Sequence, residues 1–239
     1  MPIFTFLIAH TETMMSKILT SLIVATCCSL LPATAQNSER SRWFDYDRST
    51  YYSVRLGVNA PNLFFRGTCN PEARAFAGLD IAMLWGRQLG QGVPLFFETG
   101  LMYTEKGSKV KATLDDQRMT FNLKYLEIPL VFKYKVGVGF DDLTVQPFFG
   151  GFVALGVAGK TKLYDEHVKV NSFASGRFRR GDAGLRMGCG LAYQNFYFDL
   201  SYDVGLANIA RGNFSAYDYD DFDSKVRTGT FTASVGIEF

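Results

Sequence analysis

Few residues in this chain have types and spacing that could do chemistry. One of its two histidines, His167, stands in "LYDEHVKVNS" beside Asp165, Glu166 and Ser172. Those side chains can make a nucleophile and its base. Nothing in the spacing gives them a mutual geometry, so a solvated loop histidine is expected and no catalytic residue is assigned. "YDYDDFD" (217–223) offers Asp218, Asp220, Asp221 and Asp223 with no base among them. A divalent cation takes such oxygens, but the spacing matches no calcium loop, and no metal site is assigned. The four cysteines form no CxxC and no Cys/His cluster, which argues against zinc; no cofactor is expected. Lys160, Lys162, Lys169, Arg177, Arg179 and Arg180 outnumber Asp165 and Glu166 in one stretch, and such a patch can hold the phosphates of lipopolysaccharide.

Other charges sit inside apolar stretches, where the element carrying them decides what they face. In "YLEIPLVFKY" (125–134), Leu126, Ile128, Leu130, Phe132 and Tyr134 alternate with a second set that holds Glu127 and Lys133. Period-2 patterning of this kind is a β-strand with one apolar face. Seven other segments repeat it. They carry Val54–Ala60, Leu79–Trp85, Leu95–Tyr103, Phe149–Val157, Ala183–Tyr193, Phe196–Val204 and Phe231–Phe239 on their apolar faces. Each runs to about ten residues, longer than the about 5–6 of an ordinary strand and right for a tilted strand crossing a bilayer. Connections at 61–73, 107–118, 159–181 and 207–225 read as long. Those at 88–92, 137–142 and 194–195 read as short. Alternation of long external loops with short periplasmic turns is the habit of outer-membrane barrels, and eight strands make the smallest of them.

Composition agrees. Hydrophobic residues make up 47% and aromatics 15% of the 239 residues, which favours strands in one domain. Lys plus Arg number 25 against 23 Asp plus Glu, a balance that gives no reason to expect nucleic acid as a partner.

Glycines choose the outer face. Gly57, Gly78, Gly100, Gly156, Gly184, Gly188, Gly190, Gly205 and Gly236 all share the polar set, and a narrow barrel interior, unlike a wet surface, needs such small residues. The apolar set therefore faces lipid. Arg55, Asp80, Glu98, Glu127, Lys133, Arg186, Asp199 and Asp203 face inward, as an interior polar network that plugs the lumen. Lipid cannot satisfy an open strand edge, so the sheet must close. Pro129 lacks a ladder N–H, and a bulge or lost bond is expected there.

At the N-terminus, Lys17, an apolar run from Ile18 to Leu31 and Ala33-Thr34-Ala35 make a secretory signal cut after Ala35. Residues 1–35 are thus read as extension and signal peptide, 36–50 as a polar periplasmic leader and 51–239 as the barrel. Cys69 and Cys189, which remain after cleavage, are expected as thiols.

"TGLMYTEKGSK" (99–109), "YLEIPLVFKYKV" (125–136), "DLSYDVGLANI" (199–209) and "ASVGIEF" (233–239) resemble the PorT-like family of small outer-membrane β-barrels. Phe239 with Ile237 and Val235 before it is similar to the signal read by the barrel assembly machinery. The resemblance implies outer-membrane location and no single activity. The expected fold is all-β: an eight-stranded antiparallel transmembrane β-barrel, an up-and-down meander. The expected role is a scaffold, interaction or adhesion element that meets envelope proteins through its external loops and is bathed in outer-membrane lipid and lipopolysaccharide. An accessory role in a transport or protein-secretion complex is the alternative, ahead of a lipid-acting enzyme.

Overall fold

Alternating segments become strands that pair in chain order. The computed structural model describes residues 49–66, 72–90, 92–111, 118–138, 143–163, 169–173, 178–211 and 225–239, all within one unit, Asp45–Phe239. Its strands are β1 (Thr50–Arg66), β2 (Glu72–Arg74), β3 (Gly78–Gln88), β4 (Leu95–Lys111), β5 (Arg118–Tyr134), β6 (Val136–Gly137), β7 (Leu143–Leu163), β8 (Lys169–Asn171), β9 (Gly181–Tyr193), β10 (Phe196–Gly205) and β11 (Lys225–Glu238). Eight of them form an antiparallel ring, β1-β3-β4-β5-β7-β9-β10-β11, which β1 closes by pairing Ser53 with Glu238 and Phe65 with Val226. The other three are short additions: β2 lies on the far end of β4, and β6 and β8 on the two ends of β7.

The wall has its apolar side outward. Along β10, Phe196, Phe198, Leu200 and Tyr202 are exposed, while Tyr197, Asp199, Ser201 and Asp203 are buried. Leu130 is 42% exposed, whereas Lys133 and Glu127, three residues to either side, are fully buried. Such a surface fits hydrocarbon, where an outward charge at mid-depth would cost about 2–4 kcal/mol. Rings lie over glycines inside. A Cβ at Gly86 would meet Tyr51, at Gly190 Tyr197, at Gly188 Phe148 and at Gly184 Phe152. Leu84 departs from the polar set of its strand because it packs inside with Ala82 and Met102.

Three long connections are shorter than the sequence reading placed them. β1 runs on to Arg66, β4 to Lys111, β5 starts at Arg118 and β7 reaches Leu163. Above the lipid-facing belt the inward side chains turn apolar, as Leu63, Phe121 and Leu123 do, so the contrast between faces fades and the pattern resembles a loop. Lys160 and Lys162, read as loop residues, belong to β7.

Pro129 interrupts one ladder. On the β4 side, pairing passes from Thr99–Leu130 to Met102–Glu127 in unchanged register, with Ile128 and Pro129 unpaired to β4. Towards β7, Pro129 stays opposite Phe152. The bulge lies elsewhere: register shifts where Tyr125 pairs with Gly156 but Lys124 pairs with Ala158. Cys189 is a thiol on β9. Cys69 and residues 1–48, which include the signal and nearly all of the leader, lie outside the described residues.

Candidate functional site

The lumen is the first candidate, and its chemistry changes along the axis. At the short-turn end, Glu98 on β4 collects three donors. One of its oxygens accepts from Arg55 and Lys133 at 2.6 Å each and from Tyr51 at 2.7 Å. The other accepts from Arg55 at 3.2 Å, which makes that pair bidentate. Glu238 on β11 faces Lys135, Lys133 and Arg55 at 3.2, 3.4 and 3.5 Å. Asp199 lies 3.7 Å from Arg55 and accepts from Ser234 at 2.5 Å. Arg55 stacks 4.0 Å from the centre of the Tyr197 ring.

A second group occupies mid-height. Glu127 pairs with Lys106 at 2.8 Å and with Arg186 at 3.1 Å. Arg186 also reaches Asp203 at 3.3 Å. Lys106 reaches Asp182 at 3.3 Å, and Asp182 accepts from Thr228 at 2.8 Å. Asp80 is buried on β3 opposite Thr104, and among the described residues no cation lies within ion-pair distance of it.

Above these groups the filling is apolar. Phe121, Leu123, Tyr125, Phe152 and Leu63 from the wall meet Phe173, Phe178 and Ile209, which the long connections fold inward. Phe121 meets Phe178 edge-on at 5.3 Å between ring centres, and Tyr125 meets Phe173 at 6.0 Å. Phe178 bridges to Ala210. Asn208 fixes this end: its side-chain oxygen accepts from the backbone N–H of Ala210 and of Val226, at 3.1 and 2.9 Å. The lumen is therefore plugged by ions below and by rings above, where the sequence reading had expected a polar plug throughout.

Residues 34–211 match the model of the outer membrane protein beta-barrel domain. The chain belongs to the outer membrane protein beta-barrel domain family. It is an outer-membrane barrel, and β11, beyond the matched range, completes the family domain's ring here. Its fold is similar to that of Neisserial surface protein A, at 14% identity over 80% of this chain and 97% of that one, with a TM-score of 0.41. It is also similar to a major outer membrane protein from Thermus thermophilus, at 16% identity over 80% and 99%, TM-score 0.45. The attachment invasion locus protein Ail of Yersinia pestis compares at 13% identity over 80% and 99%, TM-score 0.35. No curated protein matches the sequence.

Within this family barrel, the eight inward residues of the sequence reading occupy the lower and middle lumen, and all eight are buried. Lys106, Asp182, Glu238, Lys135 and Tyr51 join them and were missed. Lys106 and Asp182 keep the even parity of Glu98 and Arg186 on their own strands, a signal that their placement next to presumed loops obscured. Phe239, Ile237 and Val235 are exposed on the outer face. The Phe239 backbone exchanges two hydrogen bonds with Tyr52, at 2.8 and 2.9 Å.

Of the residues considered for a nucleophile and its base, only Ser172 lies among the described residues. Ser172 is buried and shares a 2.8 Å hydrogen bond with Thr161. His167, Asp165 and Glu166 lie outside the described residues, as do Arg177 and 217–223. Among the described residues, no group of three His, Cys, Asp or Glu side chains is placed to hold a metal ion.

Proposed function

We propose that this outer-membrane barrel works by contact: a scaffold, interaction or adhesion element of the cell envelope whose closed lumen conducts nothing. The observation that supports this reading is the double filling of the lumen, with Glu98 and Glu127 holding cations below and Phe173, Phe178 and Ile209 packed above. Eight strands enclose a space that side chains alone can fill, and here ion pairs centred on Glu98 and Glu127 and a cluster of packed rings occupy it. A service to a transport or secretion complex would use the same outer surfaces and stays the alternative. Within the family, "YLEIP" and "GLANI" support a PorT-like relationship. Phe239, Ile237 and Val235, held at the closing strand, support recognition by the barrel assembly machinery, and the polar run 36–50 supports a periplasmic leader behind a cleaved signal.

Planar-bilayer recording and liposome swelling with small sugars test the closed lumen. Purified protein should give no steady conductance and no swelling above empty liposomes. Steady channels in the wild type would put transport first. Photo-crosslinking from the external loops in cells then separates an adhesion element from a subunit of a larger complex.

A further inference from the structure

The bulge in β7 has moved two lysines through the wall. Below it, Phe152, Ala154 and Gly156 are buried while Val153, Leu155 and Val157 are exposed; above it, Gly159 and Thr161 are buried while Ala158, Lys160 and Lys162 are exposed. One extra residue reverses the face of everything that follows it. In an unbroken strand both lysines would enter the apolar cap beside Leu123 and Phe173. Instead they stand outside with Lys124 of β5 and Lys109 of β4, since Lys160 pairs with Asn122, and Thr120 has Lys162 on one side and Lys109 on the other.

These four lysines border a cleft of about 780 Å3 that Phe76 and Ala77 close on one side. Glu105 lies 3.6 Å from Lys124, but among the described residues no carboxylate pairs with Lys109, Lys160 or Lys162. At the same place, Thr120 Oγ1 and Asn122 Oδ1 are buried without a hydrogen-bond partner. Directly below runs the lipid-facing stripe of Leu126, Ile128 and Leu130 with Leu155 and Val153 alongside. A tilted strand needs about 9–11 residues to cross the hydrocarbon. The run 124–134 has that length, so Lys124 lies at the outer edge of the membrane and the other lysines just beyond it, on the long-loop side.

We propose that this cleft binds the phosphorylated headgroup of an outer-leaflet lipid, lipopolysaccharide. Its phosphates meet Lys109, Lys124, Lys160 and Lys162, the Thr120 hydroxyl donates to them, and its acyl chains lie along Leu126 and Leu155. Ammonium groups serve phosphate as point charges, and the apolar stripe beneath them suits an amphiphile better than a soluble anion. This inference rests on the outer-membrane location and not on the closed lumen.

The test uses the full barrel in nanodiscs. Bisphosphorylated lipid A, dephosphorylated lipid A and inorganic phosphate are offered separately, and retention is counted by native mass spectrometry as salt is raised. The variant is K109Q/K124Q/K160Q/K162Q, and the control is K225Q/R227Q, two exposed cations on the opposite side of the ring. Wild type and control should retain bisphosphorylated lipid A, and the quadruple variant should retain it at least about tenfold more weakly. Wild type should hold the dephosphorylated lipid poorly. If four changes prevent folding, judged by the heat-modifiable gel shift, K160Q/K162Q is measured instead and should lose several-fold. Equal retention by variant and wild type, an equal loss in the control, or equal retention of the dephosphorylated lipid would overturn the proposal. Inorganic phosphate bound as tightly as lipid A would overturn the lipid as the occupant.

Discussion

The lower and upper halves of the lumen are filled by opposite means. Below, Glu98, Glu238 and Asp199 bind Arg55, Lys133 and Lys135 across five strands, β1, β4, β5, β10 and β11, with Lys135 just past the end of β5. Above, Leu63, Phe121, Leu123 and Phe152 meet rings that arrive from the connections. Ions in a dry interior are stable only in complete sets, because a charge left alone costs several kcal/mol. Apolar side chains lose stability in proportion to what is removed and the cavity left behind. The lower half should therefore fail abruptly and the upper half by degrees.

Glu98→Ala is expected to have the largest effect. It takes from Arg55 and Lys133 their shortest ion pair, leaving them only the longer contacts to Glu238 and, for Arg55, Asp199, removes the acceptor of Tyr51, and should cost about 3–5 kcal/mol, read as a shift in the urea midpoint of the barrel in detergent. A loss under about 1 kcal/mol would erase the contrast between the halves. Phe178→Ala should come next, at about 3 kcal/mol, and should admit brief current fluctuations in a planar bilayer without a steady channel, since the ionic layer remains below. Removing both members of a pair sharpens the comparison: Glu98→Gln with Lys133→Met should cost less than Glu98→Ala alone, under about 2 kcal/mol, because no bare carboxylate or ammonium is left from that pair. A double-mutant cycle measures it. Smallest is Asn208→Ala, which frees two N–H groups at the margin of the cap. A loss of about 1–2 kcal/mol should appear together with faster hydrogen exchange at Ala210 and Val226.

Much of the lower half was legible in the sequence because its chemistry and its geometry carry the same signal. Glu127 and Lys133 interrupt an apolar run at the strand period, and that suffices to set their direction. Their partners were not legible: Lys133 meets Glu98 and Glu238, 35 and 105 residues away, and only closure of the ring decides such a pairing. Upward, the pattern failed for two physical reasons. An apolar residue facing an apolar cap, such as Leu63 or Leu123, has no polar neighbour to contrast with it. The bulge between Val157 and Ala158 then reverses parity, so Lys160 and Lys162 look like loop charges when they are strand residues. The inward turn of Phe173 and Phe178 has no local signature, since connections are ordinarily polar and exposed.

The seam where Tyr52 grips Phe239 also governs time. Neighbouring strands elsewhere in the ring follow one another along the chain, but β1 must wait for β11, and Ser53 cannot find Glu238 until nearly the whole barrel has been made and exported. Contacts so distant in sequence are slow to form because the loop they close must first be ordered. Through that interval β1 and β11 are open edges, and the lipid-facing rows of Val54, Leu56, Val235 and Ile237 are bare to water. An unfinished chain of this kind is sticky by construction. Those edges and rows are covered only when the first strand and the last have met.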